Sequence, residues 1–273
     1  MKRNELSTIA QQTLDCFRQG YYLYHEQKID LKEKHAHSLD VCRLISVSQS
    51  EQLQFPFTKP LAGKITIENI DIIQAITRTN QKYGVLNFAS AYHPGGGFLN
   101  GSLAQEESLC FGSNLYVTQL RFQKEFYDYH QSIKTKCYSD TMIYSSDVVY
   151  IRDEQYAFLP EPKLADIITS PAVNLGVALS RGEDEEACYR MMKTRMRKIL
   201  MLFHEMGNTH IILGAFGCGV FRNDPKRIAQ IWKELLIDED MKSGFHEILF
   251  AVYDKSKTQN NIQAFTSVFG QAA

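Results

Sequence analysis

Several features that would assign the chain to a familiar class are missing from this sequence. There is no excess of positive charge, because 30 Lys and Arg residues stand against 31 Asp and Glu residues. A protein that holds duplex nucleic acid needs a basic surface for the phosphates, so duplex binding is not expected. Uninterrupted apolar runs of about 18 residues are also absent, and the N-terminus leads into a polar stretch. We therefore expect no membrane contact and a cytoplasmic location.

Cysteine is present, but not in the patterns that build metal sites or disulfide frameworks. The six cysteines lie at positions 16, 42, 110, 137, 188 and 218, and no two of them form a Cys-x-x-Cys pair. Because structural zinc sites and small disulfide-rich domains usually show such regular spacings, neither is signalled here. We expect most of these side chains to be small buried hydrophobic groups, and we predict neither a metal nor a cofactor.

The spacing of apolar residues alternates between that of strands and that of helices. Strands are predicted at 64–67, 84–89, 166–173, 210–216 and 247–253, with further strands around 142–151. Helices are predicted at 4–18, 70–81, 184–206 and 224–237. This alternation predicts an α/β fold with a mixed, largely parallel sheet between helices, and such sheets bind ligands at the carboxyl ends of their strands.

The domain organisation is predicted from one irregular segment. Phe55–Pro60 reads as a connector that leads into the main domain. Residues 1–60 are therefore interpreted as an accessory segment, and residues 61–273 as the main domain on which it packs.

One stretch joins a predicted strand, a glycine loop and the start of a helix. Gly95, Gly96 and Gly97 follow the strand that ends near Ala89. Residues without Cβ atoms can take positive φ and present N–H groups to phosphate or ribose oxygens. A simple tight turn is the alternative, since the spacing matches neither a Rossmann fingerprint nor a P-loop.

Two acidic residues, Glu106 and Glu107, lie where the next helix begins. The spacing of Ser102 and Gln105 predicts a capping box at this point. Helical spacing places Glu107 on the apolar face with Cys110, whereas its acidic neighbour projects elsewhere. Apolar surroundings favour a protonated carboxyl, which suits donation of a proton in glycosidic cleavage. The alternative is that both acids only stabilise the helix N-terminus through its dipole.

A second glycine-rich loop, Gly214–Phe221, follows another predicted strand and precedes a helix that starts near Asp224. Two such loops at strand ends can clasp a pyrophosphate from opposite sides, with Phe221 packed on a sugar. Cys218 lies in this loop but has no obvious histidine or acidic partner. We therefore interpret it as a small residue fitted between glycines rather than as a nucleophile.

Together these residues resemble a known family. Asn87-Phe88-Ala89, the three glycines and Gln105-Glu106-Glu107, at this separation, are similar to the signature of bacterial-type poly(ADP-ribose) glycohydrolases. The second loop resembles the pyrophosphate-binding loop of that family, and the N-terminal helix and strand fit its accessory segment. The resemblance implies a macrodomain-like three-layer α/β/α sandwich with an N-terminal helical extension.

The resemblance also implies an activity and a set of site residues. Glu107 would be the catalytic acid, Glu106 and Asn87 would hold ribose hydroxyls, and Phe221 would order the terminal ribose. The expected partners are poly(ADP-ribose) or ADP-ribosylated macromolecules, with ADP-ribose released mainly from chain ends and bound as product. The residues assigned to substrate binding are Asn87, Ala89, Gly95, Gly96, Gly97, Gln105, Gly214, Ala215, Phe216, Gly217, Cys218, Gly219, Val220 and Phe221.

Three other functions stay open at this point. A pocket of this kind also suits a non-catalytic ADP-ribose reader, although the intact Gln105-Glu106-Glu107 sequence speaks against it. A hydrolase of another ADP-ribosyl linkage, to a protein or to a nucleic-acid base, has the same motif. A partner-binding protein is the third alternative, with the 184–206 helix as its surface, but the apolar spacing of that helix fits a core-facing role better.

Overall fold

The computed structural model describes residues 1–55 and 60–270 of the chain, so most of the predicted Phe55–Pro60 connector lies outside the described residues. The strands are β1 Tyr21–Tyr24, β2 Gln27–Asp30, β3 Arg43–Ile45, β4 Lys64–Glu68, β5 Tyr83–Phe88, β6 Met142–Arg152, β7 Phe158–Ser170, β8 His210–Leu213 and β9 Glu247–Ala251. The α-helices are α1 Arg3–Gln19, α2 Lys32–Val41, α3 Val47–Gln52, α4 Ile72–Thr77, α5 Gln105–Phe111, α6 Leu115–Leu120, α7 Tyr129–Ser132, α8 Leu175–Ser180, α9 Glu185–Glu205, α10 Pro225–Lys233 and α11 Asn260–Phe269. Short 3₁₀ or π turns lie at Phe98–Asn100, Gln123–Asp128, Glu234–Asp238 and Met241–Gly244.

Seven of these strands form one central sheet in the order β3-β6-β7-β5-β8-β9-β4. The five strands from β7 to β4 pair in parallel, whereas β3, β6 and β7 pair antiparallel. The predicted mixed, largely parallel sheet is therefore confirmed. Because β5 lies between β7 and β8, the loops that leave β5 and β8 emerge side by side at the same sheet edge.

Both faces of the sheet are covered by helices. Successive side chains of a strand point to opposite faces, and Val85 and Leu86 show this in β5. Val85 packs in the core cluster that contains residues of α1, α4 and α5. Leu86 packs in the larger cluster with residues of α9, α10 and α11. The three-layer α/β/α sandwich is confirmed.

The helices begin and end where local capping groups bind the backbone, and the spacing of apolar residues predicts these ends only in part. The first helix ends at Gln19, and Gly20 takes φ 82° behind it, as predicted. In α9, Asp184 accepts a hydrogen bond from the N–H of Ala187, which sets the predicted start. The helix predicted at 70–81 is shorter at both ends and spans Ile72–Thr77. The side chain of Asp71 accepts from the N–H of Ile73, which sets the start at Ile72. Among the described helices, none combines the length and apolar character that crossing a membrane requires.

The N-terminal segment is built into the main body of the protein. The hydroxyl of Thr13 in α1 donates to the carbonyl of Phe111 at the end of α5, at 2.7 Å. The hydroxyl of Ser7 donates to the carbonyl of Leu99 at the same distance. The edge strand β3 pairs with β6 and so completes the central sheet. The boundary near residue 60 stays a prediction, and α1 is placed where it supports the site helix α5.

Candidate active site

Both glycine loops open onto one cleft at the carboxyl ends of β5 and β8. A cavity of about 660 Å³ is lined by the first loop, by Glu106 and Glu107, and by Val220 and Phe221 of the second loop. A second cavity of about 500 Å³ adjoins it and is lined in part by Gln105, Ala215 and Asp71. The two cavities share Phe88 and Ala104, so they form one elongated cleft that follows the sheet edge.

Glu107 is held against the first glycine loop by one of its two oxygens. Its Oε1 accepts a hydrogen bond from the N–H of Gly97 at 2.9 Å. A Cβ atom at Gly96, where φ is 59°, would lie 2.4 Å from the same oxygen. Its Oε2 accepts no hydrogen bond from any described residue, and the side chain lines the larger cavity. Glycine is therefore required at position 96, because the carboxyl of Glu107 packs directly on the backbone of the loop.

Glu106 is the more deeply buried acid, at 3% exposure against 9% for Glu107. The prediction that only Glu107 faces inward is therefore wrong. Glu106 accepts from the side-chain amides of Asn87 and Gln119, each at 3.0 Å, and from the N–H of Ser90 at 2.7 Å. Burial raises its pKa to about 8, against the opposing effect of these three donors.

The predicted capping box is also wrong. Helix α5 begins after Ala104, and no side chain caps it. Gln105 instead binds the end of β5: its Oε1 accepts from the N–H of Phe88 at 2.9 Å, and its Nε2 donates to the carbonyl of Leu86 at 2.7 Å. These two bonds take the place of β8 along this edge of β5, because the pairing of β5 with β8 ends at Val85 while that with β7 continues.

Asn87 and Gln119 form a buried layer beneath the acids. The amide of Asn87 donates to Glu106 and to the hydroxyl of Thr169, and Asn87 is buried behind Glu106 rather than on the cavity surface. Gln119 of α6 donates to Glu106 and accepts from the N–H of Gly95 at 2.8 Å. Gln119 could not be recognised from the sequence, because a polar residue in a short helix belongs to no motif.

The N–H groups of the first loop are all used within the protein. Gly95 donates to Gln119, Gly96 to the carbonyl of His93, and Gly97 to Glu107. They are not free to bind phosphate in this structure, contrary to the expectation from the sequence. The first loop positions the acid instead.

The second loop differs from the first, because several of its N–H groups have no acceptor in the described chain. Its base is fixed, because the indole of Trp232 donates to the carbonyl of Gly214 and the amide of Asn223 donates to that of Gly217. Beyond this base, Val220 is 84% exposed. The N–H groups of four loop residues donate to no acceptor among the residues the structure describes; these are Gly217, Gly219, Val220 and Phe221. The geometry suits an anion.

Cys218 does not have the surroundings of a nucleophile. Its Sγ lies 3.9 Å from the carbonyl oxygen of Phe216, and no histidine or carboxylate of the described chain forms a hydrogen bond with it. Burial raises the pKa of its thiol, whereas a nucleophilic cysteine needs a lowered one. These surroundings agree with a small residue between glycines.

Further cavity residues come from parts of the chain that have no motif. Tyr92 and His93 lie on the first loop, and Tyr138 and Asn174 also line the large cavity. The ring of Tyr138 lies 6.2 Å from that of Phe221 and 5.6 Å from that of Tyr92. In the described ranges, the one cluster with metal-ligand geometry lies outside this cleft and involves residues next to Tyr138.

Comparison with known proteins identifies relatives over the whole chain. A sequence model of the family described as microbial-type PARG, catalytic domain, matches residues 10–153. The chain is 32% identical to poly(ADP-ribose) glycohydrolase (PARG) from Thermomonospora curvata, with a TM-score of 0.90 over 98% of this chain and 100% of that one. The same enzyme bound to the inhibitor ADP-HPD matches at 33% identity and a TM-score of 0.88, over 97% and 99% of the two chains.

A second relative has been solved with a ligand. PARG from Deinococcus radiodurans in complex with ADP-ribose is 34% identical, with a TM-score of 0.81 over 90% of this chain and 100% of that one. No curated protein matches the chain. The family match and the two sets of structures agree on the fold and on the family. The chain therefore belongs to the microbial-type poly(ADP-ribose) glycohydrolase family, a family of glycosidases with a macrodomain-like fold.

Proposed function

We propose that this glycohydrolase cleaves the ribose–ribose O-glycosidic bond of poly(ADP-ribose) with Glu107 as the general acid. The observation that carries this assignment is the state of its two oxygens. One is fixed by the N–H of Gly97, and the other accepts no hydrogen bond in the described chain, while the side chain lines the cavity. A general acid needs this combination, because its carboxyl must be held in place while the proton-bearing oxygen stays accessible to the leaving group.

ADP-ribose is a long ligand, and the two adjoining cavities offer a separate surface to each of its parts. The terminal ribose lies in the larger cavity beside Glu107 and Phe221, and the pyrophosphate lies over the free N–H groups of the second loop. The adenosine half occupies the adjoining cavity, which Asp71 and Tyr253 line. Relatives solved with ADP-ribose and with ADP-HPD support this ligand class.

The remaining acid has a supporting role. Glu106 is surrounded by three hydrogen-bond donors that favour its ionised form and by buried surroundings that oppose it. A positive charge on the reacting ribose shifts this balance toward the carboxylate. Glu106 therefore stabilises the oxocarbenium character of the transition state, and Asn87 and Gln119 keep it in position.

The reaction follows from this arrangement. Glu107 donates its proton to the 2′-oxygen of the neighbouring unit, and the glycosidic bond breaks with oxocarbenium character on the distal ribose. Water attacks the anomeric carbon of the distal ribose, and the ionised Glu107 takes the proton from the water. One carboxyl thus acts as acid and then as base. By resemblance to the family, cleavage occurs mainly at chain ends and releases ADP-ribose.

Substitution of Glu107 by glutamine tests this mechanism. The amide oxygen of Glu107→Gln still accepts from Gly97, so the loop should keep its shape while the acid is lost. We expect turnover of defined poly(ADP-ribose), followed by mass analysis of products, to fall by about 10²–10⁴-fold. ADP-ribose binding, measured by calorimetry, should change by less than about threefold.

Glu125→Gln is the matched control, since this acid is exposed and lies outside the cleft lining. It should leave both turnover and binding unchanged. Equal activity of wild type and Glu107→Gln would refute the role of Glu107. Binding of ADP-ribose by the wild type without cleavage of the polymer would instead identify a reader or a hydrolase of another ADP-ribosyl linkage.

A further inference from the structure

Two thiols and a carboxylate meet beside the cleft wall. Cys137 Sγ lies 3.3 Å from Cys188 Sγ and 3.2 Å from Glu183 Oε2. The ligand atoms of all three residues lie within 4.8 Å of one another. Both cysteines are buried, and Glu183 is half-buried. Cys137 belongs to the loop before β6, Glu183 precedes α9, and Cys188 lies in the first turns of that helix.

We infer that Cys137, Cys188 and Glu183 form a binding site for Zn²⁺, with solvent as the fourth ligand. Zinc takes thiolate sulfur and carboxylate oxygen in tetrahedral geometry. Zn–S bonds of about 2.3 Å place two sulfur atoms about 3.8 Å apart, so the two thiols must separate by roughly half an ångström. Binding replaces the two thiol protons, which are released to solvent.

The carboxylate distinguishes this site from a redox dithiol. A disulfide joins two sulfur atoms only and has no use for Glu183, whereas a metal ion binds the carboxylate together with the thiolates. The carboxylate is oriented toward the thiols by two donors. Thr135 donates its hydroxyl to Oε2 at 2.7 Å, and the N–H of Lys136 donates to Oε1 at 3.1 Å. Such outer contacts are typical of ligating carboxylates.

The charges around the cluster fit an occupied site. Two thiolates and one carboxylate around Zn²⁺ leave one net negative charge. The guanidinium of Arg195 is buried and close enough to interact electrostatically with Cys137. The Nε of Arg195 lies 3.0 Å from Oδ1 of Asp140, and this ion pair holds the guanidinium in place. Its positive charge offsets the net negative charge of the occupied site.

The site links two parts of the protein that carry the cleft wall. Cys137 is followed by Tyr138, which lines the large cavity. The carbonyl of Lys136 accepts from the N–H of Asn174 at 3.0 Å, and Asn174 lines the same cavity. A metal ion shared by Cys137 and by the start of α9 therefore fixes this wall, and its effect is on stability and cleft geometry rather than on the reacting atoms.

Cobalt is a spectroscopic probe for this site. The full chain, fully reduced and stripped of metal with a chelator, is titrated with Co²⁺ and then with Zn²⁺. We expect one equivalent of Co²⁺ to bind with a thiolate-to-cobalt charge-transfer band and the visible bands of a four-coordinate ion, and Zn²⁺ to abolish both. Zn²⁺ should also raise the melting temperature in proportion to the logarithm of its concentration.

Matched variants locate the site. Cys137→Ser and Cys188→Ser should lose the charge-transfer band, whereas Cys42→Ser should keep it. Glu183→Gln retains both thiols and serves where the cysteine variants fail to fold; it should keep the band and weaken Zn²⁺ affinity at least about tenfold. Glu185→Gln, two residues further along the chain, should bind Zn²⁺ like the wild type.

Three outcomes would overturn the inference. The first is that the reduced wild type shows no thiolate-to-cobalt band at stoichiometric Co²⁺. The second is a band that survives in folded Cys137→Ser. The third is a wild type that takes up no metal but loses two free thiols and two hydrogen masses on exposure to peroxide, which would identify a disulfide-forming pair.

Discussion

The two glycine loops look alike in sequence, but they differ in what their backbones do. In the first loop, the N–H groups of Gly95, Gly96 and Gly97 are all bound within the protein. In the second, the N–H groups of Gly217 and Gly219 find no acceptor in the described chain. A general acid must be held rigidly, whereas an anion site must keep its donors available. Glycine thus serves close packing in one loop and ligand binding in the other.

The strongest test of this difference is to add one methyl group to each loop. In Gly96→Ala, the new Cβ would lie 2.4 Å from Glu107 Oε1 at a φ of 59°, so the acid must move. We expect a loss of turnover of about 10²-fold, since misplacement of a catalytic group by about an ångström has this effect. A Cβ at Gly219 meets nothing within 4 Å. The kcat of Gly219→Ala should therefore change less than about threefold. Because the pyrophosphate is proposed to bind at this N–H, any loss should appear in KM, and equal losses of kcat in both variants would contradict the assignment.

The pH dependence of stability tests the buried acid behind the first loop. The pKa of Glu106 is raised from an ordinary 4.5 to about 8 in the folded protein. Between these values the folded state keeps a proton that the unfolded state has lost, so the free energy of unfolding falls as pH rises from about 4.5 to 8. In Glu106→Gln this contribution, on the order of a few kcal/mol, should vanish.

Urea unfolding at a series of pH values measures this contribution as the difference in slope between wild type and variant. Near pH 4.5, Glu106→Gln is expected to be less stable than the wild type, because three donors face an amide in place of a carboxyl. This difference in stability should narrow as pH rises, since only the wild type loses stability. A variant with the same pH slope as the wild type would show that Glu106 does not titrate in this window.

Phe221 tests the ligand-facing role of the second loop. Loss of its ring in Phe221→Ala should raise the KM for poly(ADP-ribose) about tenfold, equivalent to about 1.4 kcal/mol of binding, with a smaller change in kcat. The neighbouring Val220→Ala removes a side chain that is 84% exposed and should have little effect on steady-state kinetics. A kcat loss with unchanged KM in Phe221→Ala would place the ring in the chemistry instead.

The smallest effect is expected at Cys218, because the second loop uses its backbone rather than this thiol. Cys218→Ser preserves size, and turnover should stay within about twofold of the wild type. A loss of turnover as large as that of Glu107→Gln would indicate that Cys218 acts as a nucleophile, a role that the surroundings of its thiol argue against.

Much of the fold and the position of the site could be predicted from the sequence alone. Apolar spacing identified β4, β5, β6 and α9, and the glycine loops marked the sheet edge that carries the cleft. Short elements such as the β1–β2 hairpin and α3 were missed, because four to six residues carry too little periodicity. The accessory boundary near residue 60 and the individual site roles remain predictions.

The details of the site depended on contacts between distant residues. Gln119 donates a hydrogen bond to Glu106, which lies 13 residues earlier in the chain, and the thiols of Cys137 and Cys188 are in contact although 51 residues separate them in sequence. Helical spacing alone also misjudged the two acids, since the layer of Asn87, Gln119 and Ser90 makes Glu106 the more buried one.

By itself, the sequence determined the α/β alternation, the glycine loops behind two strands and the adjacent acids, because each of these is encoded in residues close together in the chain. Only the tertiary structure decided which acid keeps a free oxygen, which loop keeps free N–H groups and which cysteines meet. Those properties depend on which partners compete for each donor and acceptor, and the partners are brought together by the packing of the sheet.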